Sequence, residues 1–222
     1  ADGDLPPGTV LGNYRVERLM GRGGMGAIYT GVNIYNAAER VAIKTILPDE
    51  TAGERFEKHL LDESNALMRV RHDAVVPYRT YGRVGEHGAY YLVLEFIDGE
   101  PLDDFYARRP LSEKELFALA RRLAAGLEAA HEEGLVHRDV APDNVLLPQS
   151  QLERATLIDF GIAKIGEADG LAGAQFAGKL SFAAPEQFVP GARIGPHTDV
   201  YSLALVLAAA ARGKSIPLGT SI

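Results

Sequence analysis

The hydrophobic periodicity of this sequence changes near Pro101, and that change constrains the fold more than any other feature. Before Pro101, short runs rich in β-branched and aromatic residues predict strands, as in RVAIKTI at 40–46 and AYYLVLEF at 89–96. One segment, 54–70, instead spaces its apolar residues as an amphipathic helix does. After Pro101, helical patterns prevail. We therefore predict an α+β protein with a β-rich first lobe, a mainly helical second lobe and a cleft between them.

The second part of the chain carries two helix signals. Ser112, followed three residues later by Glu115, predicts a capping box at the start of a helix that ends near Gly134. The very apolar segment 199–212 predicts a last helix. Its uninterrupted apolar run is well short of the roughly 20 residues that span a bilayer.

The remaining segments set the expected domain boundaries. Short strands are predicted at 145–147 and 156–160, and the segment 161–183, rich in glycine and alanine, is expected to be a loop because it shows no periodicity. We divide the chain into an N-terminal extension at 1–12, a first lobe at 13–97 and a second lobe at 98–222.

Composition excludes several classes of function. The 222 residues, 46% of them hydrophobic and 24% charged, suffice for a substantial buried core. A net charge of −7 argues against a nucleic-acid partner or a membrane surface. The sequence has no cysteine, so it forms no disulfide, thiolate nucleophile or zinc–thiolate site, which suits a reducing cytoplasm. We expect a cytoplasmic location and no membrane segment in this chain.

A glycine cluster, GRGGMGAI, lies between two strand-like segments. On its own it is compatible with a flexible hairpin tip. Glycines between two strands also let backbone N–H groups approach phosphates, because no side chain intervenes. A dinucleotide-binding turn would need a helix directly after the glycines, and here a strand pattern follows.

Lys44 ends the VAIK stretch in the next predicted strand. Strand alternation places Lys44 on the same face as Ala42, and a small residue beside a cation suits a flat base and its phosphates. Glu63, on the predicted helix, is a carboxylate that can fix this ammonium group. The alternative for both charges is a solvated surface position, where ion pairs contribute little.

The stretch VHRDVAPDNVLL at 136–147 concentrates a His, an Arg, two acids and an Asn before apolar residues return. Alone, it suits either a solvated loop or a catalytic loop that holds a metal ion and a hydroxyl nucleophile. The order of all the motifs along the chain decides between these two readings. They are the glycine cluster, VAIK, Glu63, HRDVAPDN, DFG at 159–161 and APE at 184–186. In these motifs the chain resembles the eukaryotic-like (Hanks-type) protein kinase family, in particular its bacterial serine/threonine branch, over almost its entire length.

The resemblance implies roles for individual residues. Asp139 would orient the substrate hydroxyl and accept its proton, and Asn144 and Asp159 would ligate Mg²⁺, with Mn²⁺ as the alternative metal. Lys44, held by Glu63, would contact the phosphates of ATP. The residues expected around the nucleotide are Met20, Gly21, Arg22, Gly23, Gly24, Met25, Gly26, Ile28, Ala42, Lys44, Leu94, Glu95, Ile97 and Leu146. Those expected to act structurally or in regulation are His137, Arg138, Phe160, Gly161, Leu67, Glu186 and Asp199.

The sequence departs from the family at two positions that are expected to meet. Most serine/threonine kinases carry Lys two residues after the catalytic Asp, where this chain has Ala141, and the docking segment has Lys179 where Thr is usual. Our hypothesis is that Lys179 supplies the missing cation. The alternative is a solvated Lys179 and a crippled enzyme, since one positioned charge-stabilising group is worth about 10²–10³ in rate.

The expected loop before APE contains one hydroxyl residue, Ser181. Many relatives order this loop by phosphorylating a Thr that pairs with the Arg beside the catalytic Asp, here Arg138. In this chain Glu167 or Asp169 is the candidate substitute. We therefore predict activity that does not depend on phosphorylation of this loop.

Family members usually continue with further helices, including an Arg that pairs with Glu186. The second lobe is therefore expected to be incomplete, ending after the helix at about 199–212. An apolar face of that helix is then expected to be exposed, which predicts self-association through it, as a homodimer or by a swapped helix, with marginal solubility as the alternative.

Three functions are weighed. The first is an ATP- and Mg²⁺-dependent protein kinase that transfers the γ-phosphoryl group of ATP to Ser or Thr of a protein substrate. The second is a pseudokinase or nucleotide-binding scaffold. The third is a small-molecule phosphotransferase of similar fold, a class that generally lacks the APE motif.

Overall fold

The computed structural model describes residues 5–23, 26–47, 53–85, 88–160 and 180–215. The chain forms two compact units, the first comprising Ala1–Arg69 and Pro77–Phe96 and the second comprising Val70–Val76 and Ile97–Ile222. Each unit has its own hydrophobic core. The first is rich in strands and the second in helices, which confirms the predicted α+β class.

The first unit is built on a six-stranded antiparallel sheet in the order β1-β2-β3-β4-β6-β5. Its strands are β1 (Val10–Leu11), β2 (Tyr14–Gly23), β3 (Gly26–Asn33), β4 (Arg40–Ile46), β5 (Tyr78–Arg83) and β6 (Tyr90–Glu95), and its helix is α1 (Gly53–Leu67). β4 has the predicted bounds, because Val41 and Ile43 alternate with less buried residues and are themselves fully buried. The sheet buries an aliphatic and aromatic core that includes Val16, Tyr29 and Val93.

The second unit combines helices with a three-stranded sheet in the order β7-β8-β9. Its elements are β7 (Gly99–Pro101), α2 (Leu102–Arg108), α3 (Glu113–Glu132), β8 (Val145–Pro148), β9 (Thr156–Leu157) and α4 (Pro196–Arg212), with short 3₁₀ helices at Pro142–Asn144, Leu152–Arg154, Leu180–Phe182 and Pro185–Phe188. The predicted capping box is present at the start of α3, where Ser112 and Glu115 bond reciprocally. The core packs leucines of α3 against Val206 and Ala209 of α4.

Two sequence predictions about secondary structure need correction. The strand predicted at 156–160 ends at Leu157, because Asp159 has a φ of 62°, in the left-handed region that a strand cannot contain. The segment 161–183, predicted to be a loop, includes a 3₁₀ turn at Leu180–Phe182, while 161–179 lie outside the described residues.

The last helix also differs from its prediction. α4 begins at Pro196, three residues earlier than predicted, because proline suits the first turn of a helix. One face of α4 is buried in the core, whereas Val200 and Tyr201 are 60% and 43% exposed. No helix in the described ranges is long and apolar enough to cross a membrane.

Candidate active site

The first unit presents the predicted nucleotide-binding residues on one face of its sheet. The pairing of the strands places Ile28 of β3 opposite Lys44 of β4. It also places Ala42 of β4 opposite Leu94 of β6. Directly opposed residues of antiparallel strands share a face. All four are half-buried, whereas their neighbours Val41 and Ile43 are fully buried on the other face. A cation therefore stands beside a small and an aliphatic side chain, as the sequence predicts.

The glycine cluster occupies the end of the β2–β3 hairpin. Gly21 and Gly23 lie on β2, paired with Ile28 and Gly26, next to the exposed side chains of Met20 and Arg22. Gly26 has a φ of 149°, and a Cβ there would collide with the carbonyl oxygen of Thr45. Only glycine fits this position, which brings the hairpin backbone close to β4.

Glu63 lies on α1 with its side chain 15% exposed, and His59 one turn earlier is 3.8 Å from it. Leu67, one turn after Glu63, is buried. The pairing of Glu63 with Lys44 stays a prediction. At the end of β6, the Glu95 N–H donates to the carbonyl of Pro77 at 2.9 Å.

In the second unit, Asn144 holds Asp139. Nδ2 of Asn144 donates to the backbone carbonyl of Asp139 at 2.8 Å and to its carboxylate Oδ2 at 3.0 Å. Asn144 closes the 3₁₀ turn Pro142–Asn144, in which its N–H donates to the Ala141 carbonyl at 3.0 Å. The APDN sequence therefore folds back on itself, and the amide fixes the orientation of the Asp139 carboxylate.

Arg138, just before Asp139, has a φ of 63°. Its N–H donates to Asp199 Oδ1 at 2.8 Å, and the N–H of His137 donates to Asp199 Oδ2 at 2.8 Å. Nε2 of His131 is also 2.7 Å from Asp199 Oδ2. Asp199 is fully buried, so these three donors offset the cost of removing a carboxylate from water. α4 thereby supports the backbone before the candidate catalytic acid.

His137 is a buried neutral imidazole. Its Nε2 lies 3.0 Å from the carbonyl of Ile158, which can only accept, and its Nδ1 accepts from the N–H of Asp139 at 3.3 Å. These partners require a proton on Nε2 and none on Nδ1. Burial lowers the pKa of His137, while the nearby carboxylates of Asp199, Asp139 and Asp159 act in the opposite direction. Both ring nitrogens therefore bond to the backbone, which favours the structural role predicted for His137.

Asp159 joins the same group of residues. Beside it, the N–H of Ile158 donates to the Asn144 carbonyl at 2.9 Å, and the next ring, Phe160, lies 4.4 Å from the His137 ring. The second unit therefore brings together Asp139, Asn144 and Asp159 around a buried His137–Phe160 pair. Leu146, predicted to contact adenine, is half-buried on β8.

The oxygen donors of this group suit a hard divalent cation. Because Nδ2 of Asn144 donates to Asp139, the amide oxygen is the Asn144 atom that can ligate a metal, and Asp159 adds a carboxylate. Mg²⁺ in nucleotide sites typically takes one or two carboxylates and completes its shell with phosphates and water. Across the described ranges, no cluster of three or more His, Cys, Asp or Glu side chains has the arrangement of a metal site.

Glu186 of the APE motif has partners that sequence reasoning missed. Its Oε1 accepts from the hydroxyl of Thr198 at 2.7 Å and lies 3.4 Å from Nε2 of His197. The pKa of Glu186 is lowered from its ordinary value. The largest cause is a backbone hydrogen bond, followed by the hydrogen bond from Thr198 and then by the charge of His197. A single Thr at the start of a helix carries no sequence signal for this contact, and a single His carries none for the contact of His131 with Asp199.

Six of the predicted residues lie outside the described ranges: Gly24, Met25, Gly161, Glu167, Asp169 and Lys179. Ser181 is half-buried in the Leu180–Phe182 turn, and Ile97 is half-buried at the start of the longer segment of the second unit. The compensation of Ala141 by Lys179 therefore stays a prediction.

The chain is similar to known proteins in sequence and in structure. The family model described as "Protein kinase domain" matches residues 14–220. Serine/threonine-protein kinase pkn2 of Myxococcus xanthus is 36% identical over 207 residues, covering 90% of this chain and 24% of its own length. Serine/threonine-protein kinase PknA of Mycobacterium tuberculosis is 34% identical over 212 residues, covering 93% of this chain and 48% of its own length. The chain thus spans less than half the length of these relatives.

Among solved structures, the crystal structure of the Mycobacterium tuberculosis PknI kinase domain is similar, with a TM-score of 0.75 and 27% sequence identity. The match covers 99% of this chain and 81% of that one. The two-lobed α+β fold predicted from the sequence motifs is the fold of this neighbour.

Proposed function

The chain belongs to the protein kinase domain family, and on this premise we propose that it transfers the γ-phosphoryl group of ATP to Ser or Thr of a protein substrate, with Mg²⁺ as cofactor. The match to the family covers residues 14–220, and the relatives compared above are named serine/threonine kinases. The physiological substrate is a protein bearing a Ser or Thr hydroxyl.

The observation that carries the proposal is the bonding of Asp139 to Asn144 through both a carbonyl and a carboxylate oxygen. A carboxylate fixed in this way can orient a hydroxyl and accept its proton. Phosphoryl transfer needs little covalent chemistry from the protein, so positioning and charge neutralisation supply most of the catalysis.

The other roles follow from the chemistry of each residue. Asn144 and Asp159 would hold Mg²⁺, which when bound neutralises negative charge on the phosphates. Lys44 would bind phosphate oxygens, and the glycine hairpin would cover the phosphates with backbone N–H groups. Ile28, Ala42, Leu94 and Leu146 would contact adenine, whose edge would bind to backbone groups of Glu95 and Ile97.

The test is transfer of label from γ-labelled ATP, with Mg²⁺, to a generic protein substrate. Asp139→Asn keeps the shape of the side chain but removes the base, and we expect it to abolish measurable transfer while nucleotide binding persists. Asp62→Asn, an exposed carboxylate on α1, is the matched control and should behave as the parent. Transfer by Asp139→Asn at the parental rate would refute the assignment.

One observation favours a second function, a nucleotide-binding scaffold. Ala141 is 2% exposed and packs in the core of the second unit at the position where most serine/threonine kinases carry Lys. A parent protein that binds ATP with Mg²⁺ but gives no transfer above the Asp139→Asn background would support the scaffold.

We also propose a second copy of this chain as a partner and the cytoplasm as its location. Exposed residues of α4, Val200, Tyr201 and Ala204, form an apolar stripe one turn long. Ala204→Glu places a charge on this stripe and is expected to lower the sedimentation-average mass of an associating sample, whereas Ala211→Glu at the helix end should do so less. An unchanged monomer mass in all three proteins would contradict the dimer.

A further inference from the structure

Gln187 connects the APE segment to the loop that carries Asp139. It lies directly after the APE motif, in the 3₁₀ helix Pro185–Phe188. Its Nε2 donates to the carbonyl oxygen of Arg138 at 2.9 Å, and its Oε1 accepts from the N–H of Ala184 at 2.9 Å. A carbonyl can only accept and an N–H can only donate, so these partners fix which end of the amide faces which segment.

The carbonyl that Gln187 binds belongs to the peptide group between Arg138 and Asp139. The N–H at the other end of the same peptide group donates to Nδ1 of His137 at 3.3 Å. Both polar ends of one peptide plane are therefore held by side chains. Because the orientation of this plane sets the direction in which the Asp139 side chain leaves the backbone, a rotated plane would lose both bonds and redirect the carboxylate.

The peptide plane needs this support because Arg138 has a φ of 63°, which is unfavourable for a residue with a Cβ. Such conformations persist where the surrounding structure over-determines them. Asp199 Oδ1 accepts a hydrogen bond from the N–H of Arg138 at 2.8 Å, and Gln187 Nε2 donates one to the carbonyl oxygen of Arg138. The two supports come from different elements, α4 and the turn that follows APE.

We propose that Gln187 is a positioning residue that orients Asp139 through the carbonyl of Arg138. In this way the APE segment fixes the orientation of the loop that carries Asp139. The inference rests on the proposed phosphotransfer function for its effect on rate. It adds to that function a residue that touches neither substrate nor nucleotide and acts through the backbone alone.

Two substitutions separate the two hydrogen bonds of Gln187. Gln187→Glu keeps an acceptor for the N–H of Ala184 but removes the donor to Arg138 and sets a negative charge against that carbonyl. Gln187→Lys keeps a donor for the carbonyl and loses the acceptor. Gln187 is half-buried, so neither substitution places a charged side chain at a fully buried position. Gln151→Glu, on an exposed glutamine of the same unit, is the control for added charge.

We expect Gln187→Glu to lower kcat by about ten- to hundred-fold, the scale of a small displacement of a reacting group, with KM for ATP within about twofold of the parent. Gln187→Lys should retain kcat within about threefold, and Gln151→Glu should match the parent. Amide hydrogen exchange provides a second readout. Exchange in the peptide covering 137–140 should become about tenfold faster or more in Gln187→Glu, with the other peptides of the second unit unchanged.

The inference is overturned if Gln187→Glu matches the parent in kcat or in local exchange, if Gln187→Glu and Gln187→Lys are equally impaired, or if exchange rises throughout the unit. Failure of the proposed function looks different. A parent protein without transfer would disprove phosphotransfer, while the exchange comparison between Gln187→Glu, Gln187→Lys and Gln151→Glu would still decide whether Gln187 holds the peptide before Asp139.

Discussion

Asp199 and Arg138 are joined by a hydrogen bond of 2.8 Å from the Arg138 N–H to Asp199 Oδ1, although 61 positions separate them in the chain. The second carboxylate oxygen accepts from the N–H of His137 at 2.8 Å and lies 2.7 Å from Nε2 of His131. One buried side chain of α4 thus supports two consecutive backbone groups before Asp139. The conformation of the candidate catalytic loop depends on a helix that the loop precedes by about sixty residues.

Replacing Asp199 by Ala should destabilise the second unit strongly. The change leaves the buried N–H of His137 and the part-buried N–H of Arg138 without an acceptor, and an unsatisfied buried donor costs about 1–3 kcal/mol. We expect the free energy of unfolding, measured by urea titration with circular dichroism, to fall by about 2–5 kcal/mol. Asp199→Asn should cost less, because one oxygen acceptor remains. Asp62→Ala on the exposed face of α1 is the control, and an equal loss in both Ala variants would contradict the prediction.

The buried imidazole of His137 should make stability depend on pH. Burial lowers its pKa from the ordinary 6.5, so below pH 6.5 the unfolded chain binds a proton that the folded protein does not. The stabilisation that the neutral His137 ring provides is therefore complete above pH 6.5. Below that pH the free energy of unfolding declines by up to about 1.36 kcal/mol per pH unit. His137→Phe retains a ring beside Phe160 but does not titrate.

The measurement is the free energy of unfolding at a series of pH values from about 7.5 to 5.5. His137→Phe should be less stable than the parent at neutral pH, since it lacks both hydrogen bonds of the ring, but its stability should decline less steeply on acidification. His59→Gln removes an exposed histidine, 52% accessible, and serves as the control. Parallel curves for the parent and His137→Phe would disprove the assignment.

Much of the fold could be predicted because its patterns are local. The bounds of β4 follow from the alternation around Ile43, and the start of α3 follows from Ser112 and Glu115, whose bonds need no distant partner. The turn at Asp159 could not be predicted from its apolar flanks. Its neighbour Ile158 is bonded to Asn144, which fixes this backbone through a contact between two separate segments.

The residues of the candidate site also differ in whether the sequence alone could identify them. Lys44, Asp139 and Asn144 are recognisable because they lie in motifs with fixed spacing. Gln187 and Thr198 are single polar residues without such a pattern, and their importance follows only from what they contact, Arg138 and Glu186. A motif therefore identifies the residues that are expected to meet the substrate, whereas the residues that hold them in place become visible only in three dimensions.

The capping box of α3 should contribute stability in an identifiable pH range. Glu115 Oε2 accepts from the N–H of Ser112 at 2.8 Å, and its Oε1 lies 2.6 Å from Arg109 Nη2. The bond to Arg109, followed by those to Ser112, lowers the pKa of Glu115 from 4.5 to about 2. Its contribution is thus present above pH 4.5 and is lost as the pH falls toward about 2.

Glu115→Ala should lower the free energy of unfolding at neutral pH by about 1 kcal/mol, the usual worth of a helix cap. Glu113→Ala changes an exposed acid in the same turn and controls for the interaction with the helix dipole. The difference between the two variants in urea titrations should shrink in acid. If Glu113→Ala costs as much as Glu115→Ala at neutral pH, the reciprocal cap is not the cause.

Lys179 is predicted to supply the cation that Ala141 cannot. Ala141 is 2% exposed and is part of the core of the second unit, so nothing at position 141 carries a charge toward a phosphate. If Lys179 takes that role, Lys179→Ala should lower the rate of transfer from labelled ATP by about 10²–10³, with nucleotide affinity much less affected. Lys214→Ala, an exposed lysine after α4, should leave the rate unchanged.

A second variant tests whether the positive charge of Lys179 is what the reaction needs. Ala141→Lys in the Lys179→Ala background restores a cation at the position usual in the family, and it should recover part of the lost rate even though a long side chain strains the packing around residue 141. Recovery would show that the two positions exchange one function. Transfer by Lys179→Ala within a few-fold of the parent would refute the exchange, because a catalytic cation cannot be removed without slowing a reaction whose transition state carries several negative charges.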